Sequence, residues 1–266
     1  MKGSLELRGI SAGYQKSPAA WRKPDNAGAD AVRPVLCGID LSVGEGELLV
    51  LAGPNGSGKT TLLKTAGGLL APLEGKVTIN GKETGKLKPR ERAGLTAFLF
   101  QVRDSPWPFT VRETVAHGRF ARRGWLGAET MEDREAAAFA LQKADLADLA
   151  ERPLTELSGG ELQRVYIARC IAQGAAFLLL DEPENNLDPK YAYSIMTLLL
   201  NLVQEGRGAI VSLHDLRLAS HFAHRIALLS LNGTITSIGP PREVLTEENL
   251  CRVYELSPEL VRNLVL

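Results

Sequence analysis

The chain has 266 residues, of which 44% are hydrophobic, and this suits one large domain or one domain with a sizeable subdomain. Its 31 basic and 31 acidic residues give a net charge of zero, so no global charge indicates a nucleic acid or an acidic membrane surface as a partner. The three cysteines are far apart and form no metal-ligand pattern, so we interpret Cys37, Cys170 and Cys251 as reduced thiols of a cytosolic protein.

The beginning of the chain predicts strands rather than a targeting segment. Residues 4–8 and 39–43 alternate between apolar and polar, and we predict an edge strand at each position. Residues 15–34, rich in Pro, Ala, Gly and charge, predict a flexible insertion at a loop. The N-terminus lacks the apolar core of a signal peptide, and apolar stretches such as 175–180 are too short to cross a bilayer. We therefore expect a soluble chain that reaches a membrane only through a partner.

A glycine-rich turn follows an apolar run, residues 48–52, which predicts a buried parallel strand. The turn reads GPNGSGKTT over residues 53–61 and precedes a predicted helix that extends to about Leu70, so the phosphate-loop pattern G-x-x-x-x-G-K-[ST] has the expected strand and helix around it. Its glycines allow consecutive N–H groups to point at an anion, Lys59 can reach the β- and γ-phosphates, and the Thr60 hydroxyl can ligate Mg²⁺. A turn that only reverses the chain has no use for this Lys-Thr pair, so we predict binding of a nucleoside triphosphate. The predicted nucleotide-binding residues are Gly53, Pro54, Asn55, Gly56, Ser57, Gly58, Lys59, Thr60 and Thr61.

The rest of the chain alternates between predicted strands and helices. Residues 76–81 predict a hairpin element and 95–100 a further strand, whereas 103–157 has a helical pattern with an Ala-rich amphipathic stretch at 132–150. Further strands are predicted at 177–180, 208–213, 226–230 and 235–238. This order indicates βαβ units, and therefore an α/β core interrupted by a helical insert.

Two acids follow the apolar strand predicted at 177–180. Parallel sheets bind ligands at the carboxyl ends of their strands, so a pair of carboxylates there indicates a site. We predict that Asp181 holds Mg²⁺, through water, and that Glu182 orients the attacking water or accepts its proton. The alternative is a pair of acids that merely caps a strand at the surface.

A serine and two glycines precede a predicted helix at 161–173. Ser158 and Glu161 have the spacing of a capping box. Gly159 and Gly160 cost helix entropy that a cap alone does not require, and they make sense if the backbone and the Ser158 hydroxyl approach a phosphate. A second anion site on the same chain suggests that one triphosphate is held between two copies.

These motifs together resemble the nucleotide-binding subunit of an ATP-binding cassette (ABC) transporter over essentially the whole chain. The matching segments are the Walker A loop GPNGSGKT, the Walker B strand FLLLDE, the signature LSGGE followed by Gln163 and Arg164, the Q-loop Gln101, the D-loop at 185–188 and the switch His214. The resemblance implies a P-loop NTPase core, at residues 1–102 and 158–240, with an antiparallel β subdomain. It also implies a helical subdomain insert at 103–157 and a C-terminal helical tail at 241–266.

The resemblance also implies roles for residues that are ambiguous alone. Gln101 would touch Mg²⁺ or the lytic water, and His214 would contact the γ-phosphate, although each taken singly is more often a plain polar residue. Tyr14 would stack on adenine. Nucleotide binding would also involve Ser158, Gly159, Gly160 and Asp188, acting across a two-fold homodimer that holds two ATP–Mg²⁺.

Softer matches, at residues 109–119, 214–219 and 239–254, resemble importers of iron complexes, haem and vitamin B12. They imply transmembrane permease subunits, an extracytoplasmic substrate-binding protein that acts indirectly, and a location at the cytoplasmic face of the cell membrane. The alternatives are an ABC ATPase for another substrate and a soluble ABC ATPase of translation or DNA repair, but those carry two cassettes or a long coiled coil that this chain lacks. A P-loop kinase or GTPase has no reason for the segment LSGGE.

Three departures from the family pattern bear on function. The insertion at 15–34 separates Tyr14 from the next strand, which leaves Trp21 as a second candidate for the adenine contact. Glu184 replaces the more usual Thr or Ser, beside two asparagines in the D-loop, and its negative charge can weaken or retune coupling between the two sites. Trp107 lies in a Pro-rich loop, where it either contacts a membrane partner or packs within the chain.

Overall fold

The computed structural model of the chain describes residues 3–14, 33–100, 109–123 and 127–265. Three residues singled out in the sequence, Gln101, Trp21 and Trp107, lie outside these ranges. So does most of the predicted insertion at 15–34, whose last two residues, Arg33 and Pro34, already belong to a strand.

The described residues form ten strands: β1 Ser4–Tyr14, β2 Arg33–Gly44, β3 Leu48–Ala52, β4 Glu74–Ile79, β5 Lys82–Glu83, β6 Thr96–Leu99, β7 Phe177–Asp181, β8 Gly208–Ser212, β9 Arg225–Leu229 and β10 Ile235–Gly239. They also form eleven α-helices: α1 Lys59–Ala66, α2 Pro89–Leu95, α3 Val111–Ala116, α4 Phe120–Arg123, α5 Met131–Lys143, α6 Gly159–Gln173, α7 Pro189–Gln204, α8 Leu216–Phe222, α9 Pro241–Val244, α10 Glu247–Tyr254 and α11 Pro258–Val265. None of the described helices is long and apolar enough to span a membrane.

A six-stranded sheet has the order β10-β9-β3-β8-β7-β6 and is parallel except for β10. All five residues of β3 are buried, and this strand lies between β8 and β9. The residues that follow β3, β7 and β8 therefore meet at one edge of the sheet. That edge is where a parallel sheet binds ligands.

A smaller antiparallel sheet has the order β2-β1-β4-β5. The predicted hairpin is confirmed, since β4 pairs with β5 through Ile79 and Lys82. The prediction of an edge strand is correct for β2 but wrong for β1, which has β2 on one side and β4 on the other. Alternation shows only that one face of a strand is exposed, and it does not reveal whether its backbone pairs on both sides.

Two hydrophobic clusters lie on opposite faces of the parallel sheet. Leu49 and Leu51 of β3 pack with α1 and the antiparallel sheet, whereas Leu48 and Val50 pack in a cluster that includes α6 and α7. Because successive side chains of a strand point to opposite faces, β3 contributes to both clusters. The strand that leads into the glycine-rich turn is therefore fixed from both sides.

The helical segment at 103–157 packs on α6 through Val111, Val115 and Leu141, which are buried in the same cluster as α6. Its described part contains α3, α4, α5 and short 3₁₀ turns, so the amphipathic stretch predicted at 132–150 is not one continuous helix. The helix α5 ends at Lys143, and Asp145 adopts a left-handed conformation with φ of 54°. A hydrophobic pattern that continues across this break hid the helix end from the sequence.

Candidate active site

The glycine-rich turn joins β3 to α1 with a backbone that requires glycine at two positions. Gly53 has φ of 147°, and a Cβ there would collide with the carbonyl oxygen of Leu229. Gly58, which caps α1, has φ of 100°, and a Cβ there would lie 2.7 Å from the side chain of Leu36. These positions force the turn into a curled form directly before the helix.

The curled turn presents unpaired donors. Within the described part of the chain, no acceptor is found for the backbone N–H groups of Gly56, Gly58, Lys59 or Thr60, and Gly58 provides no side-chain cap. The hydroxyl of Ser57 is buried without a described partner. Because N–H groups at a helix N-terminus carry partial positive charge, this arrangement is suited to an anion.

Lys59 adds a full positive charge to the same place. Its ammonium donates to the carbonyl oxygens of Gly53, at 2.8 Å, and Pro54, at 3.2 Å. Burial lowers the pKa of Lys59, and the nearby carboxylates of Glu182 and Asp181 oppose that effect. A buried ammonium held by neutral carbonyls interacts strongly with any anion that reaches it.

A cavity of about 290 Å³ opens beside the turn. It is lined by Tyr14, Val35, Asn55, Gly56, Gly58, Lys59, Thr60, Thr61 and Glu182. Tyr14 is 45% exposed, and the Thr61 hydroxyl lies 3.5 Å from the Tyr14 hydroxyl. The structure thus brings the aromatic ring predicted to stack on a base to the cavity of the phosphate loop.

The two acids after β7 are held by one serine of the neighbouring strand. Ser212, which pairs with Asp181 in the parallel register, donates its hydroxyl to Asp181 at 2.7 Å. The same Ser212 oxygen accepts from the backbone N–H of Glu182 at 2.9 Å. Glu182 has a left-handed φ of 50°, which few residues other than glycine adopt without cost. This strained residue lines the cavity of the phosphate loop.

Both carboxylate oxygens of Glu182 have partners. Its Oε1 lies 2.5 Å from His214 Nε2, and its Oε2 accepts from the side-chain amide of Asn185 at 3.1 Å. The backbone N–H of His214 donates to Glu184 at 2.8 Å. Glu182 and His214, predicted to act together, are therefore in direct contact.

The sequence did not reveal the roles of Ser212, Asn185 and Glu184 in this network. Ser212 could have been found, because it is the polar residue at the carboxyl end of an otherwise apolar buried strand, GAIVS. The hydrogen bonds of Asn185 and Glu184 depend on the turn that follows Asp181, and no sequence signal predicts that turn.

The segment LSGGE lies elsewhere on the chain. Ser158 and Glu161 form the predicted capping box of α6, with the Ser158 N–H donating to Glu161 at 2.8 Å. A Cβ on Gly160 would lie 2.7 Å from the Tyr191 ring, whereas Gly159 faces open space. Packing against Tyr191 therefore gives a structural reason for glycine at 160, and its approach to a phosphate stays a prediction. No contact among the described residues explains why residue 159 is a glycine.

Asp188 caps α7 by accepting from the backbone N–H groups of Lys190 and Tyr191. Neither Asp188 nor the Ser158–Gly160 segment is among the residues that line the phosphate-loop cavity of the same chain. One chain therefore carries two separate groups of predicted nucleotide-binding residues.

Two described oxygens fit a hard cation such as Mg²⁺. The Thr60 hydroxyl lines the cavity, and no described residue hydrogen-bonds Asp181 Oδ2. The described residues contain no cluster of three or more His, Cys, Asp or Glu that could hold a metal alone. Proteins usually bind Mg²⁺ through one or two carboxylates together with substrate phosphates.

Comparison with known proteins identifies a matching family and several relatives. A family model described as ABC transporter matches residues 36–185. The chain is 38% identical over 230 residues to the iron(3+)-hydroxamate import ATP-binding protein FhuC of Bacillus subtilis, covering 86% of this chain and 85% of FhuC. It is 42% identical over 232 residues to the hemin import ATP-binding protein HmuV of Rhizobium meliloti, covering 84% and 87%.

Solved structures of the same kind superpose on the chain. The dimeric ATP-binding cassette MJ0796, in a post-hydrolysis state with ADP and Pi, is 30% identical with a TM-score of 0.74, covering 90% of this chain and 99% of the cassette. An inward-facing transporter described as of the metal-chelate ABC type is 26% identical with a TM-score of 0.79, covering 96% and 90%.

Proposed function

Since the chain belongs to the ABC transporter family as an ATP-binding, ATP-hydrolysing subunit, we propose that it energises import of an iron chelate, a siderophore complex or haem, through a transmembrane permease. The proposed mechanism of ATP hydrolysis rests on one observation, the cavity that is lined by Lys59, Thr60 and Glu182 together. The chelate class is supported by FhuC and HmuV, each similar over more than four fifths of its length.

The phosphate loop and Lys59 bind the β- and γ-phosphates of ATP, and Tyr14 provides a platform for the adenine ring. Thr60 and Asp181 are the residues that would hold Mg²⁺, which neutralises phosphate charge when it is bound. Gln101, assigned to Mg²⁺ or the lytic water by resemblance, belongs to this proposal too.

Glu182 is proposed as the general base. His214 and Asn185 fix its carboxylate from opposite sides, so that its lone pairs face the lytic water in a constant orientation. The side chain of His214 is 40% exposed, and it is proposed to contact the γ-phosphate from the same position.

The second half of each site is proposed to come from another copy of the chain. Ser158, Gly159, Gly160 and Asp188 lie away from the phosphate-loop cavity of their own chain, and a two-fold dimer can bring them to the cavity of a partner. The dimeric state of MJ0796 with ADP and Pi supports this arrangement. Closure on two ATP molecules and opening after hydrolysis follow from it.

An apolar groove of about 270 Å³ is the proposed contact with the permease. It is lined by Gly67, Leu69, Pro89, Arg92, Ala93, Thr96, Phe98, Phe100, Ala121 and Gln173. Leu69 and Phe100 are about half exposed, and an amphipathic helix from the cytoplasmic side of a permease could cover them. The chain would then work at the cytoplasmic face of the membrane, on a chelate that an extracytoplasmic binding protein delivers.

The test of the ATPase part uses Glu182→Gln. This variant should bind ATP as the wild type does, lose steady-state hydrolysis and accumulate as a dimer with Mg²⁺-ATP in size-exclusion chromatography. Undiminished hydrolysis would refute the base assignment. Mixing Lys59→Ala with Ser158→Arg chains should restore part of the activity that each lacks alone, because one mixed site is intact. No recovery would contradict the shared site.

The test of the transport part uses uptake of labelled ferric hydroxamate, haem and cobalamin in cells that lack this gene. We expect these cells to lose uptake of one iron chelate. The wild-type gene should restore that uptake, and the Glu182→Gln variant should not. Normal uptake of all iron chelates would refute the proposed substrate class while leaving the ATPase assignment intact.

A further inference from the structure

Glu184 is a buried acid with no role in the proposed chemistry. Only 8% of it is exposed, and Pro183 alone separates it from Glu182 in the sequence. One of its carboxylate oxygens accepts the backbone N–H of His214 at 2.8 Å, and the other is buried without a partner among the described residues. Burial raises the pKa of Glu184, so this position is costly for a carboxylate.

The contact places Glu184 and Glu182 on two sides of one histidine. Glu184 holds the backbone of His214, and Glu182 meets its imidazole at 2.5 Å. We propose that Glu184 is a positioning residue, which fixes the loop after β8 so that the His214 ring meets the general base and the γ-phosphate. This inference rests on the roles proposed above for Glu182 and His214.

The turn that carries Glu184 is also tied to the helix of the signature segment. The side-chain amide of Gln163, a buried residue of α6, donates to the carbonyl oxygen of Pro183 at 2.8 Å. The turn is closed by a bond from the Asn185 N–H to the Glu182 carbonyl at 3.1 Å. The turn is therefore bonded to α6 through Pro183 and to His214 through Glu184.

Side-chain length explains why the contact depends on glutamate. The carboxylate of Glu184 lies two carbon atoms further from the backbone than the hydroxyl of a serine or threonine. A hydroxyl at this position is held nearer the backbone, so we expect it to lose the contact with the His214 N–H. The contact is consequently lost, not replaced, when a shorter polar residue is introduced.

The experiment measures kcat, KM and ATP affinity for Glu184→Ala, Glu184→Thr and Glu184→Gln, with Glu259→Ala as a control on an exposed glutamate of α11. We expect Ala and Thr each to lower kcat about tenfold, since small losses of orientation have effects of this size or larger. ATP affinity should change less than twofold. Gln should recover most of kcat, because its amide oxygen can still accept from His214.

Combination with His214→Ala separates positioning from general stability. If Glu184 acts through His214, the double variant Glu184→Ala/His214→Ala is no slower than His214→Ala alone. A wild-type kcat in both Glu184→Ala and Glu184→Thr would overturn the proposal. So would a kcat of the double variant equal to the product of the two single effects, or an equal loss of kcat in Glu184→Gln and Glu184→Ala. If Glu184→Ala does not fold, Glu184→Thr takes its place in the comparisons with Glu184→Gln and with the His214→Ala double variant.

The outcomes also distinguish this inference from the function on which it rests. If His214→Ala and Glu182→Gln strongly reduce hydrolysis while the Glu184 variants are fully active, only the positioning role fails. If His214→Ala hydrolyses ATP as the wild type does, the proposed site and the role of Glu184 fail together.

Discussion

Ser212→Ala removes one hydroxyl that serves both acids of the site. Ser212 is completely buried on β8, donates to Asp181 at 2.7 Å and accepts from the Glu182 N–H at 2.9 Å. Alanine fills nearly the same space, so the substitution deletes these two hydrogen bonds without overpacking. The side chain of Asp181, a residue that is only 4% exposed, then keeps no described hydrogen-bond partner.

The cost can be estimated from the bonds that are lost. A hydrogen bond to a charged group contributes about 1.5–3 kcal/mol, and a buried group without a partner costs a similar amount. The Glu182 N–H also lies 3.2 Å from the Ser212 carbonyl oxygen, so it is not left alone and most of the loss concerns Asp181. We expect the free energy of unfolding to fall by about 2 kcal/mol, which lowers Tm by about 5 °C in a chain of this size.

The assay combines thermal unfolding with steady-state hydrolysis. Because both acids lose their alignment, kcat should fall about tenfold or more. Ser237→Ala is the matched control, since Ser237 lies on β10 and no described residue hydrogen-bonds its side chain. A Tm within 1 °C of the wild type, together with unchanged kcat, would refute the view that Ser212 organises the two acids.

Three further changes test separate parts of the structure. Lys59→Met removes a buried ammonium, so the Tm without nucleotide should not fall. The stabilisation by ATP, about 2.7 kcal/mol at a hundredfold excess over Kd in the wild type, should disappear. If scanning fluorimetry still shows a rise in Tm with ATP, the loop assignment is contradicted. Gly160→Ala drives a methyl group into the Tyr191 ring and should cost about 1–3 kcal/mol of stability. Gly159→Ala, in open space, should keep Tm but lower hydrolysis at least tenfold, and equal Tm in the two variants would contradict the packing argument. Burial raises the folded pKa of Glu184 above its ordinary value of 4.5. The stability of the wild type relative to Glu184→Gln should therefore be greatest at acidic pH and should fall as pH rises through the folded pKa. A difference in unfolding free energy that does not change with pH would contradict the burial effect.

Much of the fold followed from local pattern. The strand β3 and the turn after it carry their own signals, an apolar run, glycines and a Lys-Thr pair, and each stays within a short window. The helix after them was predicted to reach Leu70 but ends at Ala66, because Gly68 adopts a left-handed conformation. The position of β1 inside its sheet was not predictable, since β4, its second neighbour, lies some sixty residues further along the chain.

The candidate site divides in the same way. Lys59 is recognisable because it follows a glycine-rich turn. Asp181 and Glu182 are recognisable because two acids directly follow an apolar buried strand. Asn185 and Glu184 are not, because polar residues in a turn are ordinary and only the three-dimensional path of that turn directs them at Glu182 and His214. Residue type reveals a reacting group, whereas the groups that orient it are revealed by geometry.

The engagement of both Glu182 oxygens does not prevent this residue from acting as a base. A carboxylate has about four acceptor positions, and the bonds with His214 and Asn185 use two of them. A water molecule can therefore be accepted without breaking either contact, and the two contacts limit the directions from which it arrives. The proposed base, the phosphate loop and the buried Lys59 thus line one cavity, and the Ser158–Gly160 segment is not among the residues that line it. We propose that a second copy contributes that segment and so encloses the nucleotide.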